Sequence, residues 1–197
     1  MPTMPVMPER FHLYDTTLRD GAQQEGIQLS VEDKLRIARI LDALGVTFIE
    51  GGWPGANPAD TEFFARAQTE LRLTNARLVA FGATRKAGGT AATDPQVAGL
   101  VAAGTEYICL VAKSHDKHVT DALRSTLDEN LAMVNDTVTY LTRLGKKVLV
   151  DCEHFFDGFR ANRSYALDVV RTAAEAGAEV VVLCDTNGGM LPSWMAD

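Results

Sequence analysis

An arginine and an aspartate stand side by side in "YDTTLRDGAQQEG" (residues 14–26), at the end of a short apolar run and directly before a glycine. A carboxylate at the mouth of a strand suits a hard divalent cation, and a neighbouring guanidinium can neutralise an oxyanion that the cation does not reach. Adjacent strand residues point to opposite faces, but at a strand's end a turn through Gly21 aims Arg19 and Asp20 into one mouth. The competing reading is a surface ion pair that caps a loop.

An acidic pair, Asp151 and Glu153 in "VLVDCEHFFDGF", is two residues apart and therefore on one face of a strand. Two carboxylates in one mouth allow general acid–base work or a shared metal, each raising the pKa of the other. A helix-capping Asp beside a solvated Glu is the plainer alternative. Asp185–Thr186–Asn187–Gly188–Gly189 offers a hydroxyl, an amide and two permissive glycines, which suits a substrate carboxylate or a simple capped turn. His115 and His118 are three apart without an H-x-H or HExxH spacing and are expected to be structural or solvated. His12 lies before the mouth, and His154, beside Glu153, is a modest site candidate.

These residues recur at the ends of apolar runs that alternate with amphipathic stretches. The runs are "FHLYDTT", "VTFIEGG", "ARLVAFG", "TEYICLVAK", "KKVLVDC" and "AEVVVLCD"; helical patterns occupy 30–45, 59–73, 93–103, 119–145 and 163–177. Ser30 with Asp33 makes an N-cap, and Gly45 a C-terminal stop. About six strands and five helices in alternation call for an α/β fold with a mainly parallel sheet. The first strand lacks the GxGxxG of a dinucleotide-binding sheet, whereas polar residues at the carboxyl ends of many strands are how a TIM (β/α)8 barrel builds its site. A closed barrel takes eight strands and about 250 residues, so the expectation is an incomplete barrel over 11–197, after a Pro-rich leader at 1–10, with two open sheet edges. The remainder of the barrel and any regulatory domain are expected to lie outside this chain.

The formal charge of −7 and the absence of a Lys/Arg cluster argue against nucleic acid. No apolar stretch approaches the roughly 18 residues of a membrane span, and no signal sequence is evident, so no membrane is expected and the cytoplasm is. Cys109, Cys152 and Cys184 lack CxxC spacing and are expected to be buried free thiols rather than disulfides or metal ligands.

In order, "YDTTLRDGAQQEG", "FIEGGWPGANP", "FGATRK", "VAKSHDKHV", "DCEHFFDGF" and "LCDTNGG" resemble the acyl-CoA Claisen-condensing enzymes of the DRE-TIM metallolyase superfamily, which include 2-isopropylmalate, homocitrate and citramalate synthases. "EGGWPGANP" and "EHFFDGF" are most similar to the citramalate branch. The resemblance implies an acyltransferase that joins acetyl-CoA as co-substrate to a 2-oxo acid, pyruvate for that branch, in branched-chain amino-acid (isoleucine) biosynthesis. It implies a divalent metal (Mg2+, Mn2+ or Zn2+) on Asp20. It implies that Arg19 steadies the oxo-acid or enolate oxygen, that Gln23 lies near the substrates, that Glu153 is the strand-five acid, and that Thr186 holds the substrate carboxylate. A homodimer is expected of the full-length protein.

Two departures accompany the resemblance. The family's metal is also held by a His-x-His pair, which these 197 residues do not contain, and Asp20 alone is one ligand where catalytic metals have three. The chain alone is therefore expected to turn over little. The strand-four histidine of 2-isopropylmalate synthases is missing from "YICLVAK". The alternatives are a 2-isopropylmalate or homocitrate synthase, a lyase on the same scaffold, and a non-catalytic truncated remnant.

Overall fold

A computed structural model describes residues 11–195; the expected leader at 1–10 lies outside them. Six strands are all parallel and paired in sequence order: β1 (Tyr14–Asp15), β2 (Phe48–Gly52), β3 (Arg77–Ala83), β4 (Tyr107–Lys113), β5 (Lys147–Glu153) and β6 (Val180–Leu183). Between them run α1 (Val31–Leu44), α2 (Pro58–Glu70), α3 (Pro95–Ala102), α4 (Leu127–Arg143), α5 (Phe155–Ala161) and α6 (Arg163–Glu175), and α7 (Pro192–Met195) follows. The five expected helices are present, and α5 and α7 are additional. The helical pattern at 119–145 divides: a π-turn covers His118–Ala122, and α4 begins only after the Thr126 cap.

Local signals explain the boundaries. Ser30 and Asp33 form a reciprocal capping box on α1, and Gly45 ends it at φ 89°, a left-handed conformation that costs glycine little. Asn57, Asp94 and Thr126 cap α2, α3 and α4 through side-chain oxygens.

Alternation along the strands sorts side chains into two layers. Ile49, Ala80, Ile108, Leu110, Val148 and Val150 face the helices and form the main core with Leu35, Phe63, Leu100, Val134 and Val169. Val79, Phe81, Tyr107, Cys109 and Leu149 form a second cluster on the other face, with Tyr14, Phe48, Trp53 and Val111 against it. On that inner face, Glu50 of β2 and Asp151 of β5 bring carboxylate oxygens within 4.8 Å of each other. Three strand spacings of a flat sheet would separate them by about 14 Å. The sheet is therefore rolled, with helices outside and β1 and β6 as its two edges: an incomplete (β/α) barrel. On β6, Val180, Val182 and Leu183 are exposed.

Candidate active site at the carboxyl ends of the strands

The segment after β1 is a built turn. Asp15 accepts the Thr17 N–H (3.0 Å), and the Thr16 carbonyl accepts the N–H groups of Arg19 (3.1 Å) and Gly21 (3.0 Å). Leu18 is fully buried in the main core and anchors the turn, a burial that contributes about 2 kcal/mol. Gly21 opens a 3-10 turn and is not among the positive-φ glycines, so the turn does not depend on glycine as expected. Arg19 and Asp20 are in contact (Nη1 to Oδ1, 3.0 Å), but their side chains differ: Arg19 is 16% exposed and Asp20 65%.

Arg19 points inward. Its Nε donates to Glu50 Oε1 at 2.5 Å, and its guanidinium lies 3.9 Å from the centroid of the Phe81 ring. Tyr14 Oη donates to Glu50 Oε2, also at 2.5 Å, so both oxygens of this fully buried carboxylate are occupied. Burial pushes the Glu50 carboxyl above its ordinary range, against the pull of Arg19 and Tyr14. For Arg19, burial disfavours the charge, but the Glu50 carboxylate outweighs it and holds the guanidinium above its ordinary value. Glu50 was not among the expected site residues; that a Glu flanked by "FI" and "GG" at the end of an apolar run is buried, and therefore needs a cation, was the available signal.

Gly51 and Gly52 explain how α2 closes on this mouth. A Cβ on Gly52, at φ 147°, would fall 2.5 Å from the Asp60 side chain. Asp60 instead forms a buried ion pair with Lys34 and accepts the Trp53 N–H (2.8 Å). Gln23 lines a cavity with Arg19, Lys34, Trp53, Asn57 and Asp60.

Asp151 and Glu153 remain close enough for Glu153 to raise the Asp151 carboxyl, as the acid pair implies, but their direct neighbours differ. Asp151 sits with Glu50 and Cys109 inside the roll, and burial above all raises its carboxyl and the Cys109 thiol. Glu153 is at the rim, ion-paired with Lys113 of β4. Asn130 supports this end of β4 by donating to the Lys113 carbonyl at 2.9 Å. Thr186 Oγ1 accepts the His154 N–H at 2.9 Å, and its own proton has no acceptor among the described residues. Asp185 accepts N–H groups from Gly189 (3.2 Å) and Met190 (3.0 Å), and Asn187 donates to Asp157 (2.6 Å), so these two act as turn caps and ties. Arg85, another strand-end cation, is structural: it pairs with Glu129 (2.7 Å) and Asp136 (2.8 Å) and joins β3 to α4.

The histidines depart from expectation. His115, His118 and His154 line one cavity with Asp157, Arg160 and Asn187, with ring centroids 4.7 Å apart for 115–118 and 4.5 Å for 118–154. Burial, then the neighbouring imidazoles, holds His118 below its ordinary value. His12, by contrast, packs against Phe48, the ring centroids 5.8 Å apart. Cys109 and Cys152 are buried thiols as expected, whereas Cys184 is only partly buried; burial raises Cys152 and Cys184 to about 12.

Among the described residues, two groups bring potential metal-ligand atoms within 4.8 Å: Glu50–Cys109–Asp151 and His118–Glu153–His154. Asp20 belongs to neither. Its open carboxylate fits a hard cation as one ligand and does not complete a three-ligand site.

Residues 10–197 match the HMGL-like family over nearly the whole chain. The chain belongs to this family. It is 68% identical over 187 residues to the (R)-citramalate synthase of Streptomyces coelicolor, and 53% and 54% identical to the (R)-citramalate synthases of Aquifex aeolicus and Synechocystis. It covers 94–95% of its own length in these matches and about a third (34–35%) of each relative. Among solved structures, the HMG-CoA lyase of Bacillus subtilis superposes with a TM-score of 0.76 at 16% identity, covering 95% of this chain and 62% of that one. This HMGL-like chain thus carries the barrel architecture expected of it.

Proposed function

We propose that this HMGL-like chain belongs to an acyltransferase that condenses acetyl-CoA with a 2-oxo acid, pyruvate in the first instance, to give citramalate and CoA. The observation that carries the reading is Arg19, held by Glu50 and Phe81 at the mouth of the rolled sheet, in a chain 68% identical to a named (R)-citramalate synthase. Relatives named homocitrate synthase and 2-isopropylmalate synthase are each 35% identical, which favours the citramalate branch.

In this reading the Thr186 hydroxyl, already accepting from His154, donates its proton to the oxo-acid carboxylate. Glu153 takes a proton from the acetyl methyl group, and the resulting enolate carbon attacks the keto carbon. Arg19 stabilises the negative oxygen that develops, and does so without reorganising because Glu50 already fixes its plane. Water then cleaves the thioester and releases CoA. A divalent cation, with Asp20 as its ligand from this chain, supplies polarisation of the keto oxygen when bound. A cytoplasmic homodimer serving isoleucine biosynthesis belongs to the same proposal. Among the described residues, no helix is long and apolar enough to cross a membrane.

The test is thiol release by the full-length protein with acetyl-CoA plus pyruvate, 2-oxoisovalerate or 2-oxoglutarate. Pyruvate is expected to be the preferred acceptor, and Arg19→Ala to lower kcat by about a hundredfold or more. No release with any of the three acids overturns the synthase reading.

A further inference from the structure

We propose that the rim of the sheet carries a second site, built by His118, His154 and Glu153, for a divalent transition metal such as Zn2+ or Co2+. One potential ligand atom from each residue lies within 4.8 Å of the other two. Two imidazole nitrogens and one carboxylate oxygen suit a borderline-soft cation, whereas Mg2+ and Ca2+ favour oxygen alone. Asp20 is not a member of this group, so the site is distinct from the cation position at the first strand.

The side chain of His154 points to a ligand, and its backbone shows that the position is held against strain. Its Nδ1 is buried without a hydrogen-bond partner among the described residues, and Asp157 Oδ2 stands 3.7 Å away, beyond hydrogen-bond reach. Its backbone is left-handed at φ 55°, a strained conformation for a residue with a Cβ. The chain thus keeps an imidazole, with one nitrogen unsatisfied, at a position that glycine would occupy freely.

The surroundings brace this arrangement. Gly158 of α5 packs so closely on the Ser114 carbonyl that a Cβ would fall 2.4 Å from it, and this contact carries His154, the residue before α5, up to His118. His115 stacks on His118 but is itself held by Asp116 at 3.0 Å, which Asn162 supports in turn, so His115 steadies the ring beside it. Arg160 lines the same cavity but its guanidinium lies over the Trp194 ring, and the cation that opposes the metal directly is the Lys113 ammonium, paired with Glu153. The metal must displace it, so lysine and metal compete for one carboxylate.

The site shares Glu153 with the proposed condensation, whose base an occupying cation would engage, but the argument for it is geometric and its test needs no turnover. The full chain is titrated with Co2+ and followed by the visible absorption of nitrogen-ligated cobalt, which is far stronger than that of the hydrated ion. Saturable bands are expected. His118→Gln should weaken binding by roughly tenfold or more, Lys113→Met should tighten it by freeing Glu153, and Asp20→Asn should leave the bands in place. Circular dichroism checks that each variant is folded; should His154→Gln unfold, His118→Gln, in the turn before α4, decides the matter. Absorption no stronger than hydrated Co2+, bands that survive His118→Gln, or bands that depend on Asp20 overturn the site.

Discussion

Glu50 and Glu153 both face inward at the carboxyl ends of strands, and both meet a cation, yet the regions around them are built on opposite terms. Glu50 is fully buried and has both oxygens taken, one by Arg19 and one by Tyr14. Glu153 is partly exposed, with Lys113 on one side and two histidines on the other, one of which has a buried nitrogen with no partner among the described residues. A satisfied buried network fixes a geometry, and here it fixes the plane of Arg19. An unsatisfied cluster at a rim can still receive something. Proximity of titratable groups is therefore not enough to mark a ligand site, and hydrogen-bond accounting separates the two.

The sharpest way to break this contrast is to truncate both acids. Glu50→Ala strands a guanidinium and a phenol inside the roll and is expected to cost about 3–5 kcal/mol of unfolding free energy, as for one partner removed from a buried pair. Glu153→Ala, at a partly solvated ion pair, is expected to cost about 1 kcal/mol or less. Urea denaturation of both variants measures the difference, and equal losses would mean that Glu50 is no more structural than Glu153.

The dependence of stability on pH sharpens the same point. The folded Glu50 carboxyl lies above its ordinary value of 4.5, because burial outweighs Arg19 and Tyr14. The folded state therefore takes up this proton more readily than the unfolded chain. The stabilisation that protonation confers is complete below the unfolded value and is lost as pH rises through the raised folded one. Glu50→Gln cannot titrate, so wild type should gain stability relative to this variant as pH falls from neutrality toward 4.5. A difference that moved the other way would show that the ion pair, and not burial, governs Glu50.

Much of this was legible from the residue pattern. The alternation of apolar runs and amphipathic stretches is a long-range, repeated signal, and it carried the six strands and the barrel. Ser30, Asp33 and Gly45 act within four residues of their targets, so their caps were readable too. What escaped the sequence depends on the roll of the sheet. Asp151 and Glu153 share a strand face, but the curvature sends one into the interior with Glu50 and leaves the other at the rim, and no local spacing encodes that. His118 and His154 are 36 positions apart and meet across two strand ends, where Gly158 also lets α5 approach Ser114. β1 was expected to run through residues 11–17 and pairs only at Tyr14 and Asp15, because Asp15 turns back on Thr17 and starts the Arg19 loop.

The smallest expected effect tests whether the rim holds strain that the interior lacks. His154→Gly and His154→Ala both remove the imidazole and its contact with His118, so those losses cancel between them. What remains is the backbone at φ 55°, which is easy for glycine and costs an L-residue about 1–2 kcal/mol. Against this, glycine loses more chain entropy on folding, by about 0.5–1 kcal/mol. The balance puts the glycine variant ahead by roughly 0.5–1 kcal/mol in urea denaturation, the reverse of the order in a helix interior. If alanine proves the more stable, the turn before α5 relaxes without cost, and an imidazole there needs no ligand to account for it. If glycine leads, the rim keeps a histidine at the expense of its own stability, in the manner of residues retained for binding.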